Sequence, residues 1–166
     1  MNILDFLVTG CALVVSVLAG SSTPSYKEEK CILPNNQPGP DCKQISLMYF
    51  YNSTSGKCQN FRWTGCNYTG VFDTLHECVS KCNEDQGAPF CADAPPEPCN
   101  TTETSRGKDR YYYNVTAQSC EKYVFCGGWH SMINSNYFIS EPYCNKQCGG
   151  FNETTAKGNI ELQPVE

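Results

Sequence analysis

The phrase MYFYNSTSGKC, residues 48–58, returns as RYYYNVTAQSC at residues 110–120. In both copies aromatic residues lead into Asn-x-Thr and a cysteine closes the phrase at the same distance, so the chain carries an internal repeat. Working outward from Cys58 and Cys120, the cysteines fall into two groups of six: Cys31, Cys42, Cys58, Cys66, Cys78 and Cys82, then Cys91, Cys99, Cys120, Cys126, Cys144 and Cys148. Each group ends in C-x-x-x-C, which puts two cysteines one helical turn apart on one face. Between the groups, NEDQGAPF at 83–90 reads as an acidic linker containing Gly and Pro.

The thirteenth cysteine, Cys11, belongs to a different kind of segment. Ile3 to Leu18 is mostly apolar and ends in Ala19, Gly20 and Ser21, so residues 1–21 are expected to be a secretory signal peptide, followed by a short extension at 22–30. Its removal leaves an even set of 12 cysteines, the composition of a disulfide framework built in an oxidising compartment. It also removes Asp5, leaving 12 basic against 16 acidic residues. That excess of negative charge argues against nucleic acid and anionic membranes as partners. The remaining chain has no second apolar run of membrane-spanning length, and the expected product is a secreted monomer. Glycosylation acceptor sequences stand at Asn52, Asn67, Asn100, Asn114 and Asn152.

Local patterns give each repeat a β-hairpin followed by a short helix. In the first, Ile45 to Tyr51 is rich in aromatic and branched residues, NSTSGK at 52–57 is a turn, and Cys58 to Trp63 returns. TLHE at 74–77 has the spacing of a capping box, with Thr74 as cap and Glu77 reaching back, so a helix should carry Cys78 and Cys82. In the second, Ser140 is the expected cap, with Pro142 tolerated in the first turn. Modules this small need staples, and a bridge closing the whole first module contributes on the order of 4 kcal/mol in the loop-entropy picture. Spacing alone leaves fifteen pairings open for six cysteines.

The first repeat resembles the Kunitz family, typified by bovine pancreatic trypsin inhibitor. The words that carry the resemblance are GPDCK at 39–43, YFYN at 49–52, Gly65 with Cys66, Phe72 six residues before Cys78, and the closing C-x-x-x-C. The resemblance implies a small disulfide-rich α+β fold in two tandem modules, each a twisted β-hairpin plus a C-terminal helix with three disulfides. The modules are placed at 31–82 and 91–148, with a flexible tail at 149–166. It implies the pairs Cys31–Cys82, Cys42–Cys66 and Cys58–Cys78, and correspondingly Cys91–Cys148, Cys99–Cys126 and Cys120–Cys144. Two such modules behind a signal peptide resemble the two-domain anticoagulants of tick saliva and the inhibitors of the tissue factor pathway.

By that resemblance the first module offers a protease a convex loop of Asp41, Cys42, Lys43, Gln44 and Ile45, with Thr64 on the loop beside it. A disulfide at the base holds the loop in its bound shape, so little entropy is lost on docking. Lys43 is then the side chain that enters the primary pocket, and a lysine selects trypsin-like serine proteases, whose pocket has an aspartate at its base. Asp41, Gln44 and Thr64 depart from the commonest family residues, and the branched Thr64 stands where glycine allows close backbone approach.

The second repeat lengthens the segments after Cys99 and after Cys126 by about five residues each relative to the first, and it places Asn100, not a cation, after the cysteine. A standard inhibitory role is therefore not expected of it. Its candidate is an exosite for a coagulation factor, made of Arg106, Lys108 and Arg110 in SRGKDR and of Trp129 and Met132 in GGWHSMI, residue types that anchor interfaces. The linker would act as a tether that raises the effective concentration of one module at the enzyme.

An enzyme is not expected. The two histidines, His76 and His130, have no nucleophile or carboxylate at motif spacing, and the cysteines that might hold zinc are assigned to disulfides, so neither a metal nor a cofactor is implied. The competing reading is a non-inhibitory Kunitz binder of the channel-blocking kind, for which Lys30 and Leu33 beside the first framework cysteine are the candidate contacts.

Overall fold

The computed structural model describes residues 29–35, 41–42, 44–100, 106–128 and 135–159. The signal segment, Lys43, Trp129, Met132, His130 and the chain beyond 159 lie outside the described residues.

In the first module β1 (Ser46–Asn52) pairs antiparallel with β2 (Lys57–Trp63), with Ser46 opposite Trp63 and Tyr51 opposite Cys58. The repeated asparagine explains the turn. The Asn52 side-chain oxygen accepts the N–H groups of Thr54 at 3.0 Å and Ser55 at 3.4 Å, while Gly56 takes the left-handed conformation. In the second module β3 (Lys108–Asn114) and β4 (Ser119–Phe125) repeat the pairing, and Asn114 accepts from Thr116 at 3.2 Å and Ala117 at 3.1 Å. The Asn-x-Thr of the repeat thus has a local turn-forming reason as well as its acceptor pattern.

Helix α1 (Leu75–Cys82) starts at Thr74, whose hydroxyl accepts the Glu77 N–H at 3.1 Å. Glu77 reaches back one residue further than a capping box requires and accepts from the Asp73 N–H at 3.3 Å. Helix α2 (Glu141–Cys148) starts at Ser140, with Pro142 in its first turn, where no intrahelical donor is lost. Leu75, Cys78, Val79 and Cys82 form the buried face of α1, which packs on the hairpin face of Tyr49, Tyr51 and Cys58. Paired backbone hydrogen bonds join Tyr49 to Phe72, both at 2.9 Å, and Tyr111 to Phe138.

Six disulfides join Cys31–Cys82, Cys42–Cys66, Cys58–Cys78, Cys91–Cys148, Cys99–Cys126 and Cys120–Cys144. Within each module one bridge closes the ends, one ties helix to hairpin and one ties the two loops at the hairpin's open end.

Two expectations need correction, because the modules share one core. Tyr49, Phe72 and Val79 of the first belong to the same buried cluster as Tyr113, Phe138 and Phe151 of the second. Residues 83–90 are accordingly a pinned strap, not a tether. The Gln86 side chain accepts the Cys58 N–H at 2.5 Å and donates to the Cys58 carbonyl at 3.0 Å, and Asn83 donates to the Gly56 carbonyl at 2.6 Å. The start of the tail, expected to be loose, forms helix α3 (Glu153–Lys157), capped by Asn152 and lying on that strap. Ala88 N–H donates to the Ala156 carbonyl at 2.7 Å, and Asn159 binds Asp85 through both backbone and side chain. Gly87 and Gly158, both at positive φ, let the two segments touch: a Cβ on Gly87 would sit 2.5 Å from the Gly158 nitrogen.

Candidate functional site

Two loops meet at the open end of the first hairpin. The segment entering β1 carries Asp41, Cys42, Gln44 and Ile45, and the segment leaving β2 carries Thr64 and Cys66; the Cys42–Cys66 bridge joins them with Cα atoms 5.7 Å apart. Asp41 and Gln44 are exposed and the Ile45 side chain is 60% exposed, while Cys42 and Thr64 are half-buried. The rigidity comes from beneath. Trp63 is 1% exposed, packs with Met48 and Val71, and its indole N–H donates to the Asn67 carbonyl at 3.2 Å. An apolar plug of this kind, with its one polar atom satisfied, anchors the second loop and through the disulfide the first. Lys43 lies outside the described residues, between half-buried Cys42 and exposed Gln44.

The corresponding end of the second module is shaped differently. Cys99 and Cys126 are bridged with Cα atoms 4.9 Å apart, and the Cys99 N–H is tied to the Val124 carbonyl at 2.8 Å. Beside them Pro95, Pro96, Pro98, Asn100 and Ser135 line an open hollow of about 680 Å³. Asn100 is exposed at its edge. The surface formed here by the described residues is concave.

Of the exosite candidates, Arg106, Lys108 and Arg110 are brought together around Tyr137 and Phe125, which border a cavity of about 260 Å³. Arg110 is oriented by the Tyr137 hydroxyl, which accepts from its Nε, and by the Asp109 carbonyl, which accepts from Nη1 at 2.6 Å. Burial raises the Tyr123 phenol to about 12, reinforced by Tyr137 and opposed by the Arg110 charge. Phe125 and Tyr137 were not apparent from residue types alone. Aligning the repeats on Phe72 and Phe138 is the signal that finds Tyr137, since it occupies the place of Val71.

The remaining candidates are dispersed. Leu33 is 73% exposed, and Lys30, three residues before it, is half-buried. Asn67 and Asn152 are exposed and Asn52 and Asn114 half-buried; in each the side-chain oxygen also accepts from a nearby backbone N–H. Among the described residues no three His, Cys, Asp or Glu side chains converge as a metal site, and no helix is long and apolar enough to cross a membrane.

Comparison with known proteins agrees with this architecture. The family model of the Kunitz/Bovine pancreatic trypsin inhibitor domain matches residues 30–83. The chain is 30% identical to the carboxypeptidase inhibitor SmCI of Sabellastarte magnifica, over 71% of this chain and 67% of that protein. It is also 30% identical to papilin of Drosophila melanogaster, over 84% of this chain, and 26% identical to tissue factor pathway inhibitor of Rattus norvegicus, over 81% of this chain. The chain spans 4% of the length of papilin and 53% of that of tissue factor pathway inhibitor. The chain belongs to the Kunitz family, whose members are inhibitors rather than enzymes.

Proposed function

We propose that this protein is a secreted inhibitor of trypsin-like serine proteases in which Lys43 enters the primary pocket and the second module grips the same enzyme at an exosite. The observation that carries the proposal is the arrangement at the first hairpin's open end: exposed Asp41, Gln44 and Ile45 held by Cys42–Cys66 over the buried Trp63. A substrate-like loop held this way loses little entropy on docking and keeps its ends together if cut.

The likeness to tissue factor pathway inhibitor makes a coagulation protease the target class. The resemblance of the sequence to the two-domain anticoagulants of tick saliva makes saliva the expected place of release. The hollow beside Asn100 supports giving the second module the exosite role. Because the strap is pinned, the two sites would meet the enzyme at a set spacing, with less orientational freedom to lose than a loose tether would have.

The test is an inhibition panel of trypsin-like coagulation and digestive proteases against the full chain and its Lys43→Ala variant. Truncating a central anchor of this kind costs about 3 kcal/mol or more, so the inhibition constant should rise by at least about a hundredfold. Equal constants for the two forms would rule out Lys43 as the anchor.

A further inference from the structure

The two modules superimpose position by position, because Tyr49 with Phe72 and Tyr111 with Phe138 form the same bridge, and Ser46 with Trp63 and Lys108 with Phe125 the same register. Met48 therefore corresponds to Arg110, Phe61 to Tyr123, Trp63 to Phe125 and Val71 to Tyr137. In the first module these residues close into an apolar cluster, with Met48 3%, Trp63 1% and Val71 8% exposed. In the second the same place opens into the cavity bordered by Arg106, Lys108, Arg110, Phe125 and Tyr137.

The exchange puts polar groups where the first module has apolar ones, with Arg110 held by the Tyr137 hydroxyl and the Asp109 carbonyl. A guanidinium replaces a thioether, and the Tyr123 hydroxyl replaces a ring hydrogen in a position shielded from solvent, where it has no hydrogen-bond partner. Polar groups placed in an apolar cluster cost stability unless something uses them.

What the cavity presents is positive charge that no carboxylate among the described residues neutralises. Lys108 and Arg110 alternate along β3 and so share a face, and Arg106, just before the strand, borders the same cavity. The ion pairs among the described residues are Lys81 with Glu77 and Lys122 with Asp109, leaving these three without a carboxylate. Asp109 lies between them in sequence, faces the other side, and is held by Lys122 at 2.7 Å. The backbone that carries them is set by the disulfide, since a Cβ on Gly107 would fall 2.3 Å from Val124 Cγ1 and 2.5 Å from Cys99 Sγ. Arg110 lies 5.9 Å from the Tyr137 ring centroid, so the cationic rim stands on an aromatic floor.

We propose that this cradle binds an acidic segment of a partner protein, with a carboxylate side chain held among Arg106, Lys108 and Arg110 over Tyr137 and Phe125. Charge complementarity favours a carboxylate, and bidentate guanidinium contacts give it direction. A cavity of about 260 Å³ admits a side chain rather than a polymer, which disfavours a sulfated polysaccharide. The inference draws on the two-site reading only in taking the partner to be the inhibited protease, and its test needs no protease.

Fluorescence anisotropy of a labelled oligoglutamate peptide against the full chain provides that test. Saturable binding is expected, weaker by about tenfold or more in Arg110→Met and in the Arg106→Gln, Lys108→Gln double variant, and weaker as salt rises. Arg110→Met installs the residue that the first module accommodates at this position, so folding should survive. Lys57→Gln, an exposed lysine of the first module that removes the same charge, should bind the peptide as the parent does. Absence of saturable binding, or equal affinity in Arg110→Met, overturns the cradle. A heparin oligosaccharide that binds in an Arg110-dependent way where the peptide fails overturns the choice of partner. Lost peptide binding with Lys43-dependent inhibition intact indicts the cradle alone, and the reverse indicts the active-site reading alone.

Discussion

The Lys146 ammonium, on the helix of the second module, donates to the carbonyl of Leu47 on the first module's outgoing strand at 3.0 Å. It also donates to the Asp73 carbonyl at 3.3 Å and lies against the Met48 sulfur. Leu47 is two residues beyond Ile45, so the second module braces the strand from which the exposed loop departs.

Lys146→Met keeps the aliphatic stem and removes the charged donor. Hydrogen bonds from a charged group contribute about 1.5–3 kcal/mol, and the variant should lose stability in that range. Denaturant unfolding checks this as a lower midpoint at unchanged slope. An unchanged midpoint would mean that the contact is incidental to the docking of the modules.

Asn136 is 1% exposed, and its side chain substitutes for a missing stretch of sheet. It accepts the Tyr113 N–H at 2.7 Å and donates to the carbonyls of Tyr113 at 2.8 Å and Asp93 at 2.9 Å. Asn136→Ala leaves several buried backbone groups without partners, each costing about 1–3 kcal/mol, and should destabilise the second module severely. Amide exchange would report it as lost protection at Tyr113 that spreads through β3 and β4. Protection equal to the parent's would show that water replaces the side chain.

His76 packs edge-on against Phe151 across the module boundary, with ring centroids 4.8 Å apart. Burial lowers its pKa from the ordinary 6.5. The native state therefore binds fewer protons than the unfolded chain in the window below 6.5, and stability rises with pH there. The contribution is fully present above 6.5 and is lost as pH falls through the window toward the lowered native value. Partial exposure keeps the effect modest. Comparing unfolding midpoints at roughly pH 7.5 and 5 should show a steeper loss for the parent than for His76→Gln. Parallel losses would assign the acid sensitivity to other groups.

Much of the architecture was legible because it rests on local chemistry. The six-cysteine groups are read directly off the repeat, and the Asn52 turn and the Thr74 and Ser140 caps follow from side chains acting on backbone within a few residues. The exposed segment around Cys42 was legible in the same way, through its place in the family pattern. The pinning of the strap was not. Gln86 reads as an ordinary linker residue until Cys58 lies beside it, and Ala156 as an unremarkable tail residue until Ala88 does.

The sequence by itself determined two six-cysteine modules, because repeat, cysteine spacing and caps are encoded over short stretches, and resemblance to the Kunitz family supplied their fold and cysteine pairing. Only the tertiary structure decided that the modules form one body and that the apolar cluster of the first is a cationic cradle in the second. Lys146 and Leu47 are separated by 99 positions and Arg110 and Tyr137 by 27, and contacts at such separations leave no periodicity or spacing in the chain to be read. They arise when disulfides and a shared core bring distant segments together, and the chemistry at those contacts comes into being with the packing.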